Sequence, residues 1–333
     1  MTTLNKFCIN GIGHFLPPTI LQSEHIENEL GLEKDWIFNH LGVSERRRAN
    51  GMTCTQMGVI ALQEALEDAN LKIQNIDYLI GASATFDHVI PNRSSLIKHE
   101  MEGTEELTFP CLDINTVCTS FISALHLATK LLATNEVNHI AIVSSEIASN
   151  GLNSNDKETY SLFGDGAAAI IVSRSNNGEL LSHKQNTYSS HAKDTLIQGG
   201  GNAYHPKHHP YDEELYSFKM EGSSLLRSAL QYLSPFLENL CNEANTSLDQ
   251  IDCIVPHQAS GNGLKLLTHL NNGRSENIIN NLATQGNCIA ASVPLALYSA
   301  IKNGQLKDGQ TCLLLGTAAG LSITGLIFKY AKS

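Results

Sequence analysis

The sequence predicts an α/β layered fold built as two similar halves. Three observations carry this: short apolar runs rich in β-branched residues, amphipathic stretches at helical spacing between them, and an internal repetition. The runs at 78–80 (YLI), 139–144 (HIAIVS), 169–172 (AIIV), 251–255 (IDCIV) and 312–315 (CLLL) read as buried strands. Between them, 55–69 (TQMGVIALQEALEDA) places apolar side chains at 57, 59, 60, 62, 65, 66 and 69, one stripe of a helix. Segments 120–132, 223–240 and 292–301 carry the same pattern.

The repetition is the stronger signal. NIDYLIGASAT (75–85) resembles QIDCIVPHQAS (250–260), about 175 positions on. INTVCTSFISALHLA (114–128) resembles ATQGNCIAASVPLAL (283–297), and HIAIVSSE (139–146) resembles QTCLLLGT (310–317), both about 170 positions on. Three pairs in one order predict an N-terminal half over 1–175 and a C-terminal half over 216–333. The stretch 176–215, rich in Asn, Ser, His and Gly and without periodicity, is expected as a loop-rich connection.

Composition narrows the function classes. With 333 residues the chain can bury a sizeable core. The formal net charge of -11 leaves no basic excess to neutralise phosphates, so nucleic acid is not the expected partner. No apolar run approaches the length of a membrane span, and MTTLNKFCINGIGHFLPP lacks the order of a secretory signal. The eight cysteines form no CxxC pair, which argues against a zinc ribbon. They read as reduced thiols of a cytoplasmic protein.

Three positions carry chemistry. Cys118 follows a short strand ending in DIN (113–115) and precedes a helical pattern. Free N–H groups at such a junction favour a thiolate and can hold an oxyanion, so a lowered thiol pKa is expected. A buried structural cysteine is the plain alternative. His257, in VPHQAS (255–260), stands at the C-terminal end of a strand, where α/β sheets gather functional groups. Asn287, in QGNCIAAS (285–292), lies in the repeat of the Cys118 region; its amide can donate hydrogen bonds or simply cap a helix. If a pseudo-twofold relates the halves, the three could converge on one pocket.

Beyond these, the sequence resembles the β-ketoacyl-acyl-carrier-protein synthase III group of the thiolase superfamily, nearly end to end. The motifs are GIGHFLP (11–17), DWIFNHLGVSERR (35–47), LDINTVCTSFISALHLA (112–128), FGDGAAAIIV (163–172), VPHQA (255–259), GNCIAAS (286–292) and LLLGTAAGLSITGLIF (313–328). The resemblance implies a thiolase fold of five layers, α-β-α-β-α, and an acyltransferase activity. Cys118 would take an acyl group from a CoA or carrier-protein thioester. A malonyl-type thioester would then lose CO2 and attack the acyl-Cys, with His257 and Asn287 stabilising the enolate oxygen. The backbone N–H groups of Cys118 and of Leu321 would form the second oxyanion site. Trp36 would stack on the CoA adenine, with His40 and Lys157 where the family has arginines. Ile90 would reach across a dimer into the acyl pocket, and Ser260 stands where the family has an Asn that contacts substrate. The implied substrates are CoA or carrier-protein thioesters, with no cofactor and no metal. The implied assembly is a homodimer, or a heterodimer.

Several departures point away from housekeeping initiation with acetyl-CoA and toward specialised metabolism. The family's glycine-rich run near the C-terminus is AAGLS (318–322), and its carrier-docking Arg is replaced within GNG (261–263). An acyltransferase to an alcohol or amine, and a silent partner subunit, are the competing readings. HPKHHPYD (205–212) reads as a solvated loop rather than a metal site. ERRR (45–48) could face an acidic carrier protein or lie in intrachain salt bridges.

Overall fold

The computed structural model describes residues 6–134 and 136–332. Residues 1–5, the start of the stretch read for a signal, lie outside them. The strands among the described residues, in chain order, are β1 (Cys8–Phe15), β2 (Thr19–Gln22), β3 (Glu45–Arg48), β4 (Tyr78–Ala82), β5 (Cys111–Ile114), β6 (His139–Glu146) and β7 (Gly166–Ser173). They continue with β8 (Glu179–Thr187), β9 (Thr195–Leu196), β10 (Lys219–Met220), β11 (Cys253–Pro256), β12 (Thr311–Ala318) and β13 (Ser322–Lys329).

Two sheets have matching topology. The first runs β1-β7-β6-β4-β5 and the second β8-β13-β12-β11. In both, two central strands pair in parallel, β4 with β6 and β11 with β12. A parallel bridge of Ile278 to Ile254 stands where β5 stands in the first sheet. Even the strand starts agree. The Asp77 carboxylate accepts the N–H groups of Asn138 and His139, and Asp252 accepts that of Thr311. The short pairs β2–β3 and β9–β10 lie outside both sheets.

Helices Ser120–Leu132 and Ser292–Lys302 lie between the sheets. Their Phe121, Ile122, Leu125, Val293 and Leu297 share one buried cluster with Ile80, Ile142 and Ile170 of the first sheet and Val255, Leu314 and Leu326 of the second. Such helices must be apolar nearly all round, and they are. Helix Cys54–Asp68 covers the other face of the first sheet, helix Gly222–Glu243 that of the second. The layers therefore run α-β-α-β-α. Cys54–Asp68 starts at a capping box in which Thr53 and Gln56 each accept the other's backbone N–H.

Two expectations are corrected. The stretch 176–215 is not all connection: β8 lies within it and forms an edge of the second sheet, as β1 does of the first. Its sequence, ELLSHKQNT, alternates burial against one neighbouring strand and has no long apolar run, so it reads as a loop. The repeat is also out of register near Cys118. Val117 and Ile289, 172 positions apart, are the true counterparts: each has positive φ, 55° and 48°, and each opens a 3-10 turn before a central helix. Asn287 thus corresponds to Asn115 and Cys118 to Ala290.

Candidate active site

Cys118 sits in the turn Val117–Thr119, between β5 and the Ser120–Leu132 helix. The turn is bound twice. The Val117 N–H donates to Asn115 Oδ1 at 2.9 Å, and the Thr116 N–H donates to Ser120 Oγ at 3.0 Å. The counterpart turn repeats both bonds, Ile289 N–H to Asn287 Oδ1 at 2.9 Å and Cys288 N–H to Ser292 Oγ at 2.9 Å. A β-branched residue at positive φ is strained, and each Asn carboxamide holds one such residue in place. The bond also orients Asn287: its oxygen is taken, which leaves its Nδ2 as the donor, and that amide donates to the Ala259 carbonyl at 3.5 Å.

The FGDG motif explains how Asn287 is held. Gly164 donates its N–H to the Asn287 carbonyl at 3.0 Å, and Asn287 donates its own to the Leu162 carbonyl at 2.9 Å. A Cβ on Gly164 would lie 2.1 Å from the Gln285 carbonyl oxygen, so only glycine permits this approach. His257 follows β11 and donates its backbone N–H to the Leu315 carbonyl of β12. A Cβ on Gly316 would meet Thr119 Cγ2 at 2.9 Å and His257 Cβ at 3.5 Å, so β12 is the shared wall between the nucleophile turn and the histidine. The structure thus gathers all three expected residues around β12 and the two strained turns.

Burial sets the charge state. It pushes the Cys118 thiol up to about 12, and the Glu146 carboxylate adds to the rise. The N–H groups of Ala319 and of Cys118 itself oppose them. This corrects the expected lowered pKa: the thiol sits in a one-turn 3-10 segment with a buried carboxylate nearby, and desolvation outweighs two N–H groups. Burial likewise brings the His257 imidazole down to about 4 and leaves its Nδ1 without a partner. At neutral pH the site holds an uncharged thiol, an uncharged imidazole and an amide donor.

The remaining expected residues fall as follows. The N–H on the thiol comes from Ala319, not Leu321; Leu321 is buried and its carbonyl accepts the Tyr188 N–H. Alanine in AAGLS hides this role, because any residue supplies an N–H. Trp36 stacks on His40 with ring centroids 4.5 Å apart, and Lys157 Nζ lies 4.4 Å from the indole centroid. Lys157 also lines a cavity of about 470 Å³ with Leu30, Leu32 and residues 154–158. Ser260 is occupied otherwise than expected: its Oγ accepts the Gly263 N–H and caps helix Gly261–Leu270. Ile90 is 85% exposed, on a loop with Val89 and Phe86 at 76% and 56%. Arg46 of ERRR is fully buried, donating to the Ser161 and Leu21 carbonyls and to Ser23 Oγ, so it is no docking surface. Among the described residues no group of three or more His, Cys, Asp or Glu could hold a metal, the 205–212 histidines included.

Sequence reasoning passed over Glu146. It ends β6, is fully buried, and accepts the N–H groups of Ala84 and Thr85 at 2.7 and 2.8 Å. A charged residue closing an apolar strand run (HIAIVSSE) was the available signal.

Comparison with known proteins fits this arrangement. Residues 112–189 and 241–330 match the 3-oxoacyl-[acyl-carrier-protein] synthase III family and its C-terminal region. The chain is 31% identical to the β-ketoacyl-[acyl-carrier-protein] synthase III of Oleidesulfovibrio alaskensis, over 99% of this chain and 100% of the relative. The chain belongs to this synthase III family. It is 30% identical to the same enzyme of Blochmanniella floridana, over 97% and 99% of the two chains. The crystal structure of 3-oxoacyl-[acyl-carrier-protein] synthase III from Aquifex aeolicus superposes with a TM-score of 0.88, at 27% identity over 98% and 100% of the chains. This synthase III member is therefore an acyltransferase of the condensing type, and its five layers are those of the thiolase fold.

Proposed function

We propose that this enzyme loads an acyl group onto Cys118 and joins it, with loss of CO2, to a malonyl-type thioester. The observation that carries the reading is the pairing of a half-buried thiol under the Ala319 N–H with two uncharged donors, His257 and Asn287. Attack of sulfur on the thioester carbonyl makes a tetrahedral oxyanion, which the N–H groups of Cys118 and Ala319 can hold. Its collapse leaves acyl-Cys118 and expels the CoA or carrier sulfur, which departs as a thiol with the proton that Cys118 gives up. Decarboxylation of the second thioester puts charge on its carbonyl oxygen. Asn287 Nδ2 donates to that oxygen, and a neutral imidazole donates to it without needing to be protonated first. The carbanion then attacks the acyl carbon, a C–C bond forms, and the thiol is released.

Trp36, with Lys157 and His40 beside it, supplies a cationic aromatic surface suited to the adenine and phosphates of CoA. Exposed Phe86, Val89 and Ile90 suit a homodimer in which this loop enters the neighbouring subunit's site. Ile90→Asp is expected to shift sedimentation toward the monomer; an unchanged dimer would remove the loop from the interface.

The central test is intact-mass spectrometry after incubation with a panel of acyl thioesters. The expected result is an adduct that disappears in Cys118→Ala, and CO2 release from malonyl thioester that disappears in His257→Ala and Asn287→Ala. No adduct with any acyl thioester would overturn the proposal.

A further inference from the structure

We propose that Glu146 is a positioning residue of the acyl-transfer site: its carboxylate fastens the Ala84–Thr85 segment beyond β4, which shares an apolar cluster with the nucleophile turn, and its charge opposes ionisation of Cys118. This rests on the reading of Cys118 as the nucleophile.

The geometry is specific. One carboxylate oxygen accepts the Ala84 N–H, and the other accepts both the N–H and the hydroxyl of Thr85. Thr85 Oγ1 in turn accepts the Ile147 N–H at 3.2 Å and lies 3.6 Å from Cys54 Sγ. Ala84 belongs to the apolar cluster that contains Val117 and Cys118. A single side chain thus connects the end of β6 to the segment that flanks the nucleophile and leads into the exposed 86–90 loop. Apolar side chains could fill this space, yet the chain keeps a carboxylate with no access to water. Such a group is costly unless every acceptor site is used, and here three donors use it.

The surrounding charges leave it a distinct electrostatic role. Burial pushes the Glu146 carboxyl up, while Arg93 and the three donors at its oxygens pull it back toward the ionised form; Arg93 is also drawn toward Asp87. Asp87 is committed to the N–H groups of Cys54 and Thr55 and the Thr55 hydroxyl. Arg93 therefore faces two carboxylates, and the charge of Glu146 is felt at Cys118, where it opposes the thiolate.

The experiment compares wild type with Glu146→Gln and Glu146→Asp. One arm follows iodoacetamide alkylation of Cys118, mapped by peptide mass, against pH. The other measures kcat and KM for acyl transfer from the thioester that acylates wild type best. Glu146→Gln, lacking the charge, is expected to move the alkylation midpoint down by about one pH unit, roughly a tenfold faster reaction at a fixed pH below both midpoints. Glu146→Asp keeps the charge but is one methylene too short to hold the segment. It should retain the wild-type midpoint and lose about tenfold in kcat with KM nearly unchanged. A wild-type midpoint in Glu146→Gln, or a wild-type kcat in Glu146→Asp, overturns the proposal. Should Glu146→Gln not fold, Glu146→Asp decides alone. Alkylation needs no acyl substrate, so the two readings fail separately. A shifted midpoint in an enzyme that no thioester acylates would sink the proposed function and keep Glu146. Normal acylation with an unshifted midpoint would do the reverse.

Discussion

Asn115 and Asn287 each accept the N–H of a β-branched residue at positive φ, Val117 and Ile289. In the second half that bond also aims the Asn287 amide, so the residue both supports a turn and presents a donor. In the first half Asn115 has only the supporting role, and its product is the placement of Cys118. Left-handed backbone at a non-glycine residue costs about 1–2 kcal/mol. Asn115→Ala is expected to remove one hydrogen bond, about 1 kcal/mol of stability, and to slow acylation of Cys118 several-fold. Adding Val117→Gly relieves the strain and should restore most of the acylation rate. Stopped-flow acylation of both variants checks this; equal defects in the single and double variants would disprove it.

At the scale of elements, the site depends on two approaches that admit no side chain. The FGDG turn presses on the segment before Asn287, and β12 presses on the nucleophile turn. Gly164→Ala must push the Gln285 carbonyl aside. We expect a loss of about 1–3 kcal/mol, the ordinary cost of overpacking. Decarboxylation should suffer more than acylation of Cys118, because Asn287 moves while the nucleophile turn is held separately. Parallel assays of CO2 release and of the mass adduct would show it, and equal losses in both would count against this division.

Across the whole molecule, two histidines, the buried His257 and the half-buried His183, tie stability to pH. Burial lowers His257 to about 4. It also lowers His183 to about 4, where the ring stacks on His126 at 3.6 Å with Lys130 nearby. Above the ordinary histidine value of about 6.5 neither group binds a proton in the folded or the unfolded chain. As pH falls from about 6.5 to 4, the unfolded chain takes up protons that the fold refuses, and stability declines. Thermal melts should show Tm falling across this window by at least ~5 °C, less steeply in His183→Gln. A Tm constant from pH 7 to 4.5 would refute the assignment. The same uncharged His257 should keep its part in decarboxylation free of any titration near pH 6.5.

The sequence by itself determined the α/β class, the doubled plan and the family, and it singled out Cys118, His257 and Asn287 as the candidate site. Each rests on a local signal: apolar period, repeated strand–helix junctions, or a short contiguous motif. Its limits were equally physical. β8 alternates instead of running apolar, because it is an edge strand, and so it was read as a connection. The register of the repeat was lost by three residues, because the positive-φ turns that fix it are invisible in residue types such as Val and Ile. The Ala319 N–H has no side-chain signature at all. Only the tertiary structure decided the charge of the site. A helix start suggested a thiolate at Cys118, but desolvation and the Glu146 carboxylate, brought from the end of β6, hold it as a thiol. Burial and through-space charge are sums over residues distant in sequence, and no local pattern encodes them.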